Sequence, residues 1–249
     1  MKKNVSLIVA ALTVAALCFI SCEHEGDNNG DNMILDAVED VDGNKYDAVR
    51  IGDQVWMQSN LRTKHFRDGS PVPQGNQGDY SFTDPYCYQP TAQEMPKYNE
   101  KKFGLYYNWS AVSDVRGLCP DGWHVPSDME WSKLGEYVGS KPEYVYGADN
   151  KNIAKALASQ VGWNLSSVEG TPGNNSEANN ATGFSAFSAG YYSGTYSSYG
   201  LVGNNASFWS SDESDSYNAY GLDLYYNNTG VMSFIDGKDH GFSVRCVRD

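Results

Sequence analysis

The sequence predicts an α+β domain in which antiparallel strands are combined with two short helices and long irregular loops. From Gly183 onward, apolar and polar residues alternate between turn residues, which is typical of antiparallel strands. In mid-chain, a serine-capped helix start is followed by one apolar stripe. No internal repeat of about 20 to 50 residues occurs, which argues against a solenoid or a propeller.

The composition is that of an acidic, aromatic-rich globular protein. The 249 residues include 31 Asp and Glu against 18 Lys and Arg, and the formal net charge is −13. This charge argues against a nucleic-acid partner, because such a protein needs a basic surface to neutralise phosphates. The 18 Tyr, six Trp and nine Phe argue against a disordered chain, because their burial offsets the entropy cost of ordering the backbone.

Residues 1–21 have the pattern of a lipoprotein signal peptide. Two lysines precede an apolar run over residues 7–20. As a helix this run would be about 21 Å long, too short for the roughly 30 Å hydrocarbon core of a membrane. It ends in Phe19-Ile20-Ser21-Cys22, which resembles a bacterial lipobox, so we expect cleavage before Cys22 and lipid attachment to it. The alternative is ordinary cleavage, with Cys22 incidental.

Residues 22–33 are predicted to be an acidic, flexible tether. The segment over residues 23–32 has no apolar side chain to bury. Its four acidic residues, directly after Cys22, resemble the surface-export signals of bacterial lipoproteins. The alternative is that these residues only keep the tether solvated and do not direct export. We expect an outer-membrane lipoprotein that is exposed at the cell surface and held to the membrane by its lipid.

Residues 34–249 are predicted to form one domain, because no second linker of comparable polarity follows. Its first strands are expected at residues 35–41, 45–51 and 54–58, separated by residues that tolerate positive φ in tight turns. Residues 68–102 are rich in Gly, Pro, Asn and Gln. We predict a long irregular loop there, and long loops are candidate functional segments.

Two helices are predicted after this loop. Ser127 and Glu130 form a capping box, and Trp131, Leu134 and Val138 then lie on one apolar stripe. The first helix is expected to end near Gly139, and a second is expected over residues 151–160. Further strands are predicted at residues 184–191, 207–210, 220–225, 231–235 and 242–247.

Several motifs occur together and in one order along this domain. They are Asp42-Gly43-Asn44-Lys45-Tyr46, Ile51-Gly52-Asp53-Gln54-Val55-Trp56-Met57, Gly104-Leu105-Tyr106-Tyr107-Asn108-Trp109, the run over residues 117–128, Thr182-Gly183-Phe184-Ser185, Phe208-Trp209-Ser210-Ser211 and Gly241-Phe242-Ser243-Val244-Arg245-Cys246-Val247. Together they resemble the Fibrobacter succinogenes major paralogous domain family of secreted bacterial lipoproteins, over nearly all of residues 34–249. The resemblance implies a C-type-lectin-like fold, which the formylglycine-generating enzymes share, and a surface location. It implies no established activity.

The resemblance also implies a disulfide between Cys119 and Cys246. Such a bond is expected outside the cytoplasm, where thiols oxidise. Cys87 is then left over, because the second cysteine that family members often carry after this position is absent. Cys87 is either buried and inert or a reactive thiol. The cysteine and histidine spacings of a zinc site do not occur.

The sequence contains none of the common catalytic motifs. H-E-x-x-H, G-x-S-x-G, S-x-x-K and phosphate-loop patterns are missing. Formylglycine generation would need two closely spaced cysteines that bind copper. Carboxylates for glycoside hydrolysis could be drawn from Asp128, Glu130, Asp212 or Asp223, but no spacing selects a pair. His124 is interpreted as a packed, hydrogen-bonded residue. We therefore predict a protein that is not an enzyme and has no resident cofactor.

The strongest binding signal is a tyrosine-rich segment over residues 190–203. Tyr191, Tyr192, Tyr196 and Tyr199 lie there among Ser and Gly, a composition typical of adaptable recognition surfaces. A tyrosine ring can also stack on a sugar while its hydroxyl forms hydrogen bonds. The alternative is that alternate tyrosines simply pack the sheet.

A second candidate is the acidic cluster that contains Asp212 and Asp215. Its oxygens could ligate calcium, as in some C-type lectins, although the sugar-binding triplets of those lectins are missing. The alternative is a solvated loop.

We therefore predict a non-catalytic recognition module for a glycan or a protein. The other hypotheses are a structural or adhesin component of the envelope and a hydrolase on the related enzyme fold.

Overall fold

The strands of the protein are short, and most of them lie at the two ends of the chain. The computed structural model describes residues 32–76, 78–95 and 98–249. The strands are β1 (Met33–Glu39), β2 (Lys45–Ile51), β3 (Gln54–Met57), β4 (Cys87–Tyr88), β5 (Tyr106–Tyr107), β6 (Trp123–His124), β7 (Tyr191–Ser193), β8 (Ser198–Gly200), β9 (Asn205–Glu213), β10 (Asn218–Tyr225), β11 (Val231–Gly237) and β12 (Val247–Arg248).

The helices lie between β4 and β7. They are α1 (Glu100–Phe103), α2 (Trp109–Val112), α3 (Asp128–Gly139) and α4 (Ala154–Leu157), with 3₁₀ turns at Pro142–Tyr144 and Ser176–Ala178. No helix within the described ranges is long and apolar enough to cross a membrane. The predicted signal peptide and Cys22 lie outside the described residues, as does most of the predicted tether, but Met33 belongs to β1.

The strands pair in an antiparallel manner within each sheet. One sheet has the order β1-β2-β3-β12-β6, so the last strand of the chain lies between two early ones. A second sheet has the order β11-β10-β9, and the pairs β4-β5 and β7-β8 complete the set. The predicted mixed α+β class with mainly antiparallel strands is confirmed.

Helix α3 follows its sequence signals closely. The Ser127 side chain accepts a hydrogen bond from the Glu130 amide, and the Glu130 side chain accepts one from the Ser127 amide. Trp131, Leu134 and Val138 are buried, as the apolar stripe predicts. The capping box and the end near Gly139 are confirmed.

The second predicted helix is wrong in length, because only Ala154–Leu157 is helical. Ala158 has extended backbone angles and bridges to Ala186, so a tertiary strand contact replaces the next helical turn. The prediction of only two helices is also wrong, since α1 and α2 were not anticipated. Each of these begins with a local asparagine cap, at Asn99 and Asn108.

The packing of α3 on the sheets places aromatic rings at the centre of one core. Trp131 stacks on Trp56 with ring centroids 4.7 Å apart, and Phe184 and Phe208 contact Trp131 from other directions. Fully burying one such side chain contributes roughly 1.5–3 kcal/mol. Part of the aromatic content that argued for a globular chain is therefore buried under α3.

The disulfide between Cys119 and Cys246 is present, so the predicted pairing is confirmed. It links the segment before α3 to the residue that precedes β12. Both cysteines are buried in a second core that also contains Trp209 and Phe242. The remaining cysteine of the described ranges, Cys87, is free and buried.

Candidate ligand-binding face

Two exposed aromatic rings meet at the surface between the long irregular loop and the β9–β10 turn. Phe82 and Tyr217 are in edge-to-face contact, with ring centroids 5.9 Å apart and ring planes at 87°. Tyr217 is 67% exposed and Phe82 is 39% exposed. We call this pair the aromatic ledge. Exposed rings that contact one another form a larger apolar surface than isolated ones, which is typical of interaction sites.

The loop that carries Phe82 is held from below by Asn108. This buried side chain donates hydrogen bonds to the carbonyls of Ser81 and Asp84, at 3.1 and 2.8 Å. Its Oδ1 accepts from the amides of Tyr86 and Ala111, so the same residue also caps α2. Both the oxygen and the nitrogen of the Asn108 side chain therefore hold the loop that carries Phe82 against the start of α2.

The turn that carries Tyr217 is held by Asp215. Its Oδ1 accepts hydrogen bonds from the amides of Tyr217 and Asn218, at 2.8 and 3.0 Å. The Asn218 side chain also donates to both carboxylate oxygens, and these hydrogen bonds lower the pKa of Asp215. Asp215 therefore positions an aromatic residue, and this role differs from the direct ligand contact that the sequence suggested.

One backbone path connects the two loops. The Lys238 amide donates to the Tyr217 carbonyl at 2.8 Å, and the Trp109 amide donates to the Lys238 carbonyl at 3.0 Å. Trp109 directly follows Asn108, so consecutive residues anchor both halves of the ledge. The loops are thus pre-positioned, which reduces the entropy that a ligand must remove on binding.

A charged pair lies beside this path. The Lys238 ammonium forms an ion pair with Glu213 at 2.9 Å and lies 4.5 Å from the centroid of the Trp109 ring. The lysine side chain is buried, while Glu213 is largely exposed. Glu213 can therefore accept hydrogen bonds from a polar ligand while its charge stays balanced by Lys238.

The four predicted tyrosines do not form a single exposed face, and this prediction is corrected. Tyr192 pairs with Tyr199 across β7 and β8, which directs both side chains to the same inner face. Tyr192 is buried and stacks on Tyr88 with centroids 4.0 Å apart. Tyr199 is partly buried against Tyr106, and burial raises its pKa. Two of the four therefore pack the sheet.

The other two tyrosines have different surroundings. Tyr191 is partly buried and packs against Phe242, with centroids 5.6 Å apart. Tyr196, in the β7–β8 turn, is 80% exposed. Only Tyr196 of the predicted set therefore presents a whole ring to solvent.

The predicted acidic cluster also separates into residues with different partners. Asp212 Oδ2 accepts a hydrogen bond from the Asp128 amide at the start of α3, and Glu213 binds Lys238. Asp215 is directed to its own turn. No group of three or more acidic, histidine or cysteine side chains within the described ranges could hold a metal ion. These residues therefore do not form the calcium site considered from the sequence.

Asp223 is the carboxylate of the glycosidase hypothesis with the most unusual surroundings. It is buried in β10, and burial raises its pKa to about 6, although the hydroxyls of Ser207 and Tyr225 act in the opposite direction. Asp128 and Glu130 lie at the start of α3, and Asp212 binds that helix start. Three of the four carboxylates therefore lie at the start of α3, and Asp223 lies in β10.

The matches to known proteins agree with the sequence motifs. The model of the Fibrobacter succinogenes major domain matches residues 49–248. The chain belongs to this family. No curated protein and no solved structure matches the chain. Both rings of the aromatic ledge, their anchors and the disulfide lie within the Fibrobacter succinogenes major domain.

The sequence indicated one half of the ledge only indirectly and missed the other. Phe82 lies in the loop over residues 68–102 that was predicted to be a candidate functional segment, but no signal selected it within that loop. Tyr217 lies between polar residues in Ser214-Asp215-Ser216-Tyr217-Asn218, and an aromatic in so polar a turn could have been noticed. The anchoring role of Asn108 depends on contacts with a distant loop.

Proposed function

We propose that this member of the Fibrobacter succinogenes major domain family is a surface-displayed lipoprotein whose C-type-lectin-like domain binds glycans without transforming them. The aromatic ledge is the observation that carries this proposal. The signal-peptide pattern and Cys22 support a lipid anchor in the outer membrane. A protein surface is the second class of ligand.

The chemistry of the ledge suits a sugar. The apolar face of a sugar ring stacks on an aromatic ring, while hydroxyls at its edge form hydrogen bonds. Tyr217 offers both a ring and a hydroxyl, and Glu213 is an exposed acceptor at the start of the same turn. Because Asn108 and Asp215 fix the two loops, the rings are already in place before a ligand arrives.

A glycan array probed with the purified protein tests this proposal. Tyr217→Ala and Phe82→Ala should each weaken binding of an identified glycan by about tenfold, the effect of losing roughly 1.4 kcal/mol. Leu165→Ala is the control, because Leu165 is 92% exposed and lies outside the ledge. Tyr196→Ala tests the tyrosine segment independently. Unchanged binding by both ledge variants would contradict the proposal.

A structural or adhesin role is the second candidate function. Among the described strands, β11 pairs with β10 only, and its other edge is open. Met232 and Ile235 on this strand are 48% and 55% exposed. An open edge with apolar residues can add a strand from another chain. Light scattering would detect self-association, and Ile235→Lys should abolish it if β11 is the contact.

A further inference from the structure

The sheet formed by β9, β10 and β11 carries a polar face at one end. In the pairing of β9 with β10, Ser207 lies opposite Asp223. Asn205 lies opposite Tyr225 in the same register. Opposite residues, and residues two apart along one strand, point to the same side of a sheet. We call these four residues the Asp223 face. Leu224 points to the other side, into the core under α3, so the Asp223 face is separate from that core.

Two buried oxygens on this face have no hydrogen-bond partner within the described part of the chain. They are Oδ1 of Asp223 and Oδ1 of Asn205, in residues that are 7% and 2% exposed. Tyr225 donates to the other oxygen of Asp223 at 2.9 Å, and Asn205 Nδ2 donates to Ser207 Oγ at 2.8 Å. The Ser207 hydroxyl helps to lower the pKa of Asp223 but forms no hydrogen bond with its Oδ1. Because a buried acceptor without a donor is costly, the two oxygens favour a ligand that donates hydrogen bonds.

The charge of Asp223 is not balanced by a cation. Among the described residues, no Lys or Arg forms an ion pair with it. The His240 ring pairs with Asp236 and Asp239, at 3.5 and 3.6 Å, and not with Asp223. An exposed charge needs no partner because water solvates it, but a carboxylate as buried as Asp223 is rarely left unpaired. A positively charged ligand would supply the missing partner.

Two tyrosine rings border the carboxylate. Burial raises the pKa of Tyr225 to about 12, and the charge of Asp223 acts in the same direction. Burial also raises the pKa of Tyr191, with smaller contributions from the charges of Asp236 and Asp223. Both hydroxyls are therefore close to Asp223, and both tyrosines are only partly buried. An aromatic ring attracts a cation to its face, so tyrosines beside an unpaired carboxylate suit an ammonium group.

The Asp223 face meets solvent on the side of β11. Met232 lies opposite Asp223 in the pairing of β10 with β11, so it points to the same side of the sheet. Its side chain is 48% exposed. Methionine is unbranched and flexible, and it moves more easily than a branched or aromatic side chain. A small ligand can therefore reach Asp223 by displacing Met232.

We propose that the Asp223 face binds an amino sugar, with its ammonium group on Asp223 Oδ1 and a neighbouring hydroxyl on Asn205 Oδ1. The ammonium supplies both the charge and the hydrogen-bond donor that Asp223 lacks. The assignment to a sugar rests on the proposed glycan function. The site itself is separate from the aromatic ledge, because Asp223 lies six residues beyond Tyr217, about 20 Å along an extended strand.

Calorimetric titration of the full protein with D-glucosamine, D-glucose and ethanolamine tests the site. Glucosamine should bind at least tenfold more tightly than glucose, because the two differ only in the amino group and only the ammonium pairs with Asp223. It should also bind more tightly than ethanolamine, which cannot stack on the tyrosine rings. Equal affinities for glucosamine and glucose would overturn the proposal. Equal affinities for glucosamine and ethanolamine would overturn the assignment to a sugar.

Asp223→Asn separates the charge from the shape of the face. It should abolish the preference for glucosamine over glucose, because the asparagine side chain has nearly the same shape but no charge. The variant removes a buried, unpaired charge, so it should fold at least as well as the parent, and urea titration checks this. Glu177→Gln is the control, since it removes an exposed carboxylate. An Asp223→Asn protein with the preference of the parent would overturn the proposal.

Two further variants locate the ligand. Met232→Trp should weaken glucosamine binding at least tenfold, because the larger, stiffer side chain closes the route to Asp223. Tyr217→Ala should leave glucosamine binding unchanged, whereas Asp223→Asn should leave binding at the ledge unchanged. Failure of one site is thereby distinguishable from failure of the other. A Met232→Trp protein that binds glucosamine as tightly as the parent would place the ammonium elsewhere and overturn the proposal.

Discussion

Asn60 Oδ1 accepts two hydrogen bonds from the Arg245 guanidinium, at 3.2 Å from Nε and 2.7 Å from Nη2. Arg245 is fully buried and has no carboxylate partner in the described ranges. Its remaining donors bind the carbonyls of Met57, Phe184 and Ser185. Burial lowers the pKa of Arg245 to about 9. Dipoles, not a counter-ion, therefore stabilise this charge.

Replacement of Arg245 should be strongly destabilising. Arg245→Lys cannot satisfy Asn60 and three carbonyls at once, and each buried acceptor left unpaired costs about 1–3 kcal/mol. We expect the free energy of unfolding to fall by about 3 kcal/mol or more in urea titrations. The control is Arg248→Lys, at an exposed position three residues further along the chain. A fall of less than about 1 kcal/mol in the free energy of unfolding would show that the hydrogen bonds of Arg245 contribute little to stability.

Asp223 should make the protein less stable as the pH rises from about 4 to 6. Its pKa is about 6 in the folded protein and 3.8 when unperturbed, so unfolding releases a proton in this interval. Over two pKa units the stability lost is about 3 kcal/mol at most. Asp223→Asn should therefore stabilise the protein more at pH 7.5 than at pH 4.

Urea unfolding at the two pH values measures this effect. Glu177→Gln, which removes an exposed carboxylate, is the control and should change the two stabilities alike. If Asp223→Asn has the same effect at pH 4 and pH 7.5, the carboxyl group titrates normally in the folded protein.

His124 should stabilise the protein mainly below pH 6.5. Its ring nitrogens lie 2.6 Å from Asp249 and 2.8 Å from Glu130. Partial burial opposes protonation, but the hydrogen bonds to Asp249 and Glu130 raise the pKa of His124 overall. A raised histidine pKa gives stability that is complete below 6.5 and is lost as the pH rises through the folded value.

His124→Gln should thus cost up to about 1 kcal/mol at pH 6, a modest value because the pair is partly exposed. At pH 9 the difference between variant and parent should be smaller, and thermal unfolding at both pH values measures it. A variant whose deficit grows with pH would reverse the predicted sign.

The disulfide and the free thiol should respond differently to chemical probes. The disulfide spans 127 residues, and the chain-entropy account assigns such a loop about 4–5 kcal/mol. The Cys119→Ser, Cys246→Ser double variant should lose about 2–5 kcal/mol of its free energy of unfolding in urea titrations.

Burial raises the pKa of Cys87 to about 11, so iodoacetamide should label it only after unfolding. Mass spectrometry that finds Cys87 alkylated in the native protein would identify a reactive thiol instead.

The lipid anchor predicted at Cys22 is tested by cell fractionation. Cys22→Ala should move the protein from the membrane to the soluble fraction, because no acyl chain can then be attached. Globomycin, which blocks processing of lipoproteins, should cause accumulation of the precursor. Cys18→Ala is the matched control and should leave the protein in the membrane fraction. A Cys22→Ala protein that remains there would refute the anchor.

The sequence alone determined the features that depend on neighbouring residues or on the family pattern. The capping box of Ser127 and Glu130 predicted α3, because both partners lie within one helical turn. Alternation of apolar and polar residues predicted β10 and β11. The ordered motifs indicated the family and, through it, the Cys119–Cys246 pair.

Which side chains are exposed to a ligand depends on contacts between distant parts of the chain. The tyrosine segment is equally compatible with recognition and packing until the pairing of Tyr192 with Tyr199 directs both rings inward. Phe82 and Tyr217 come together because Asn108, the cap of α2, and Trp109, its first residue, anchor two distant loops. Such contacts depend on chain segments that are far apart in sequence, and local patterns do not determine which segments meet.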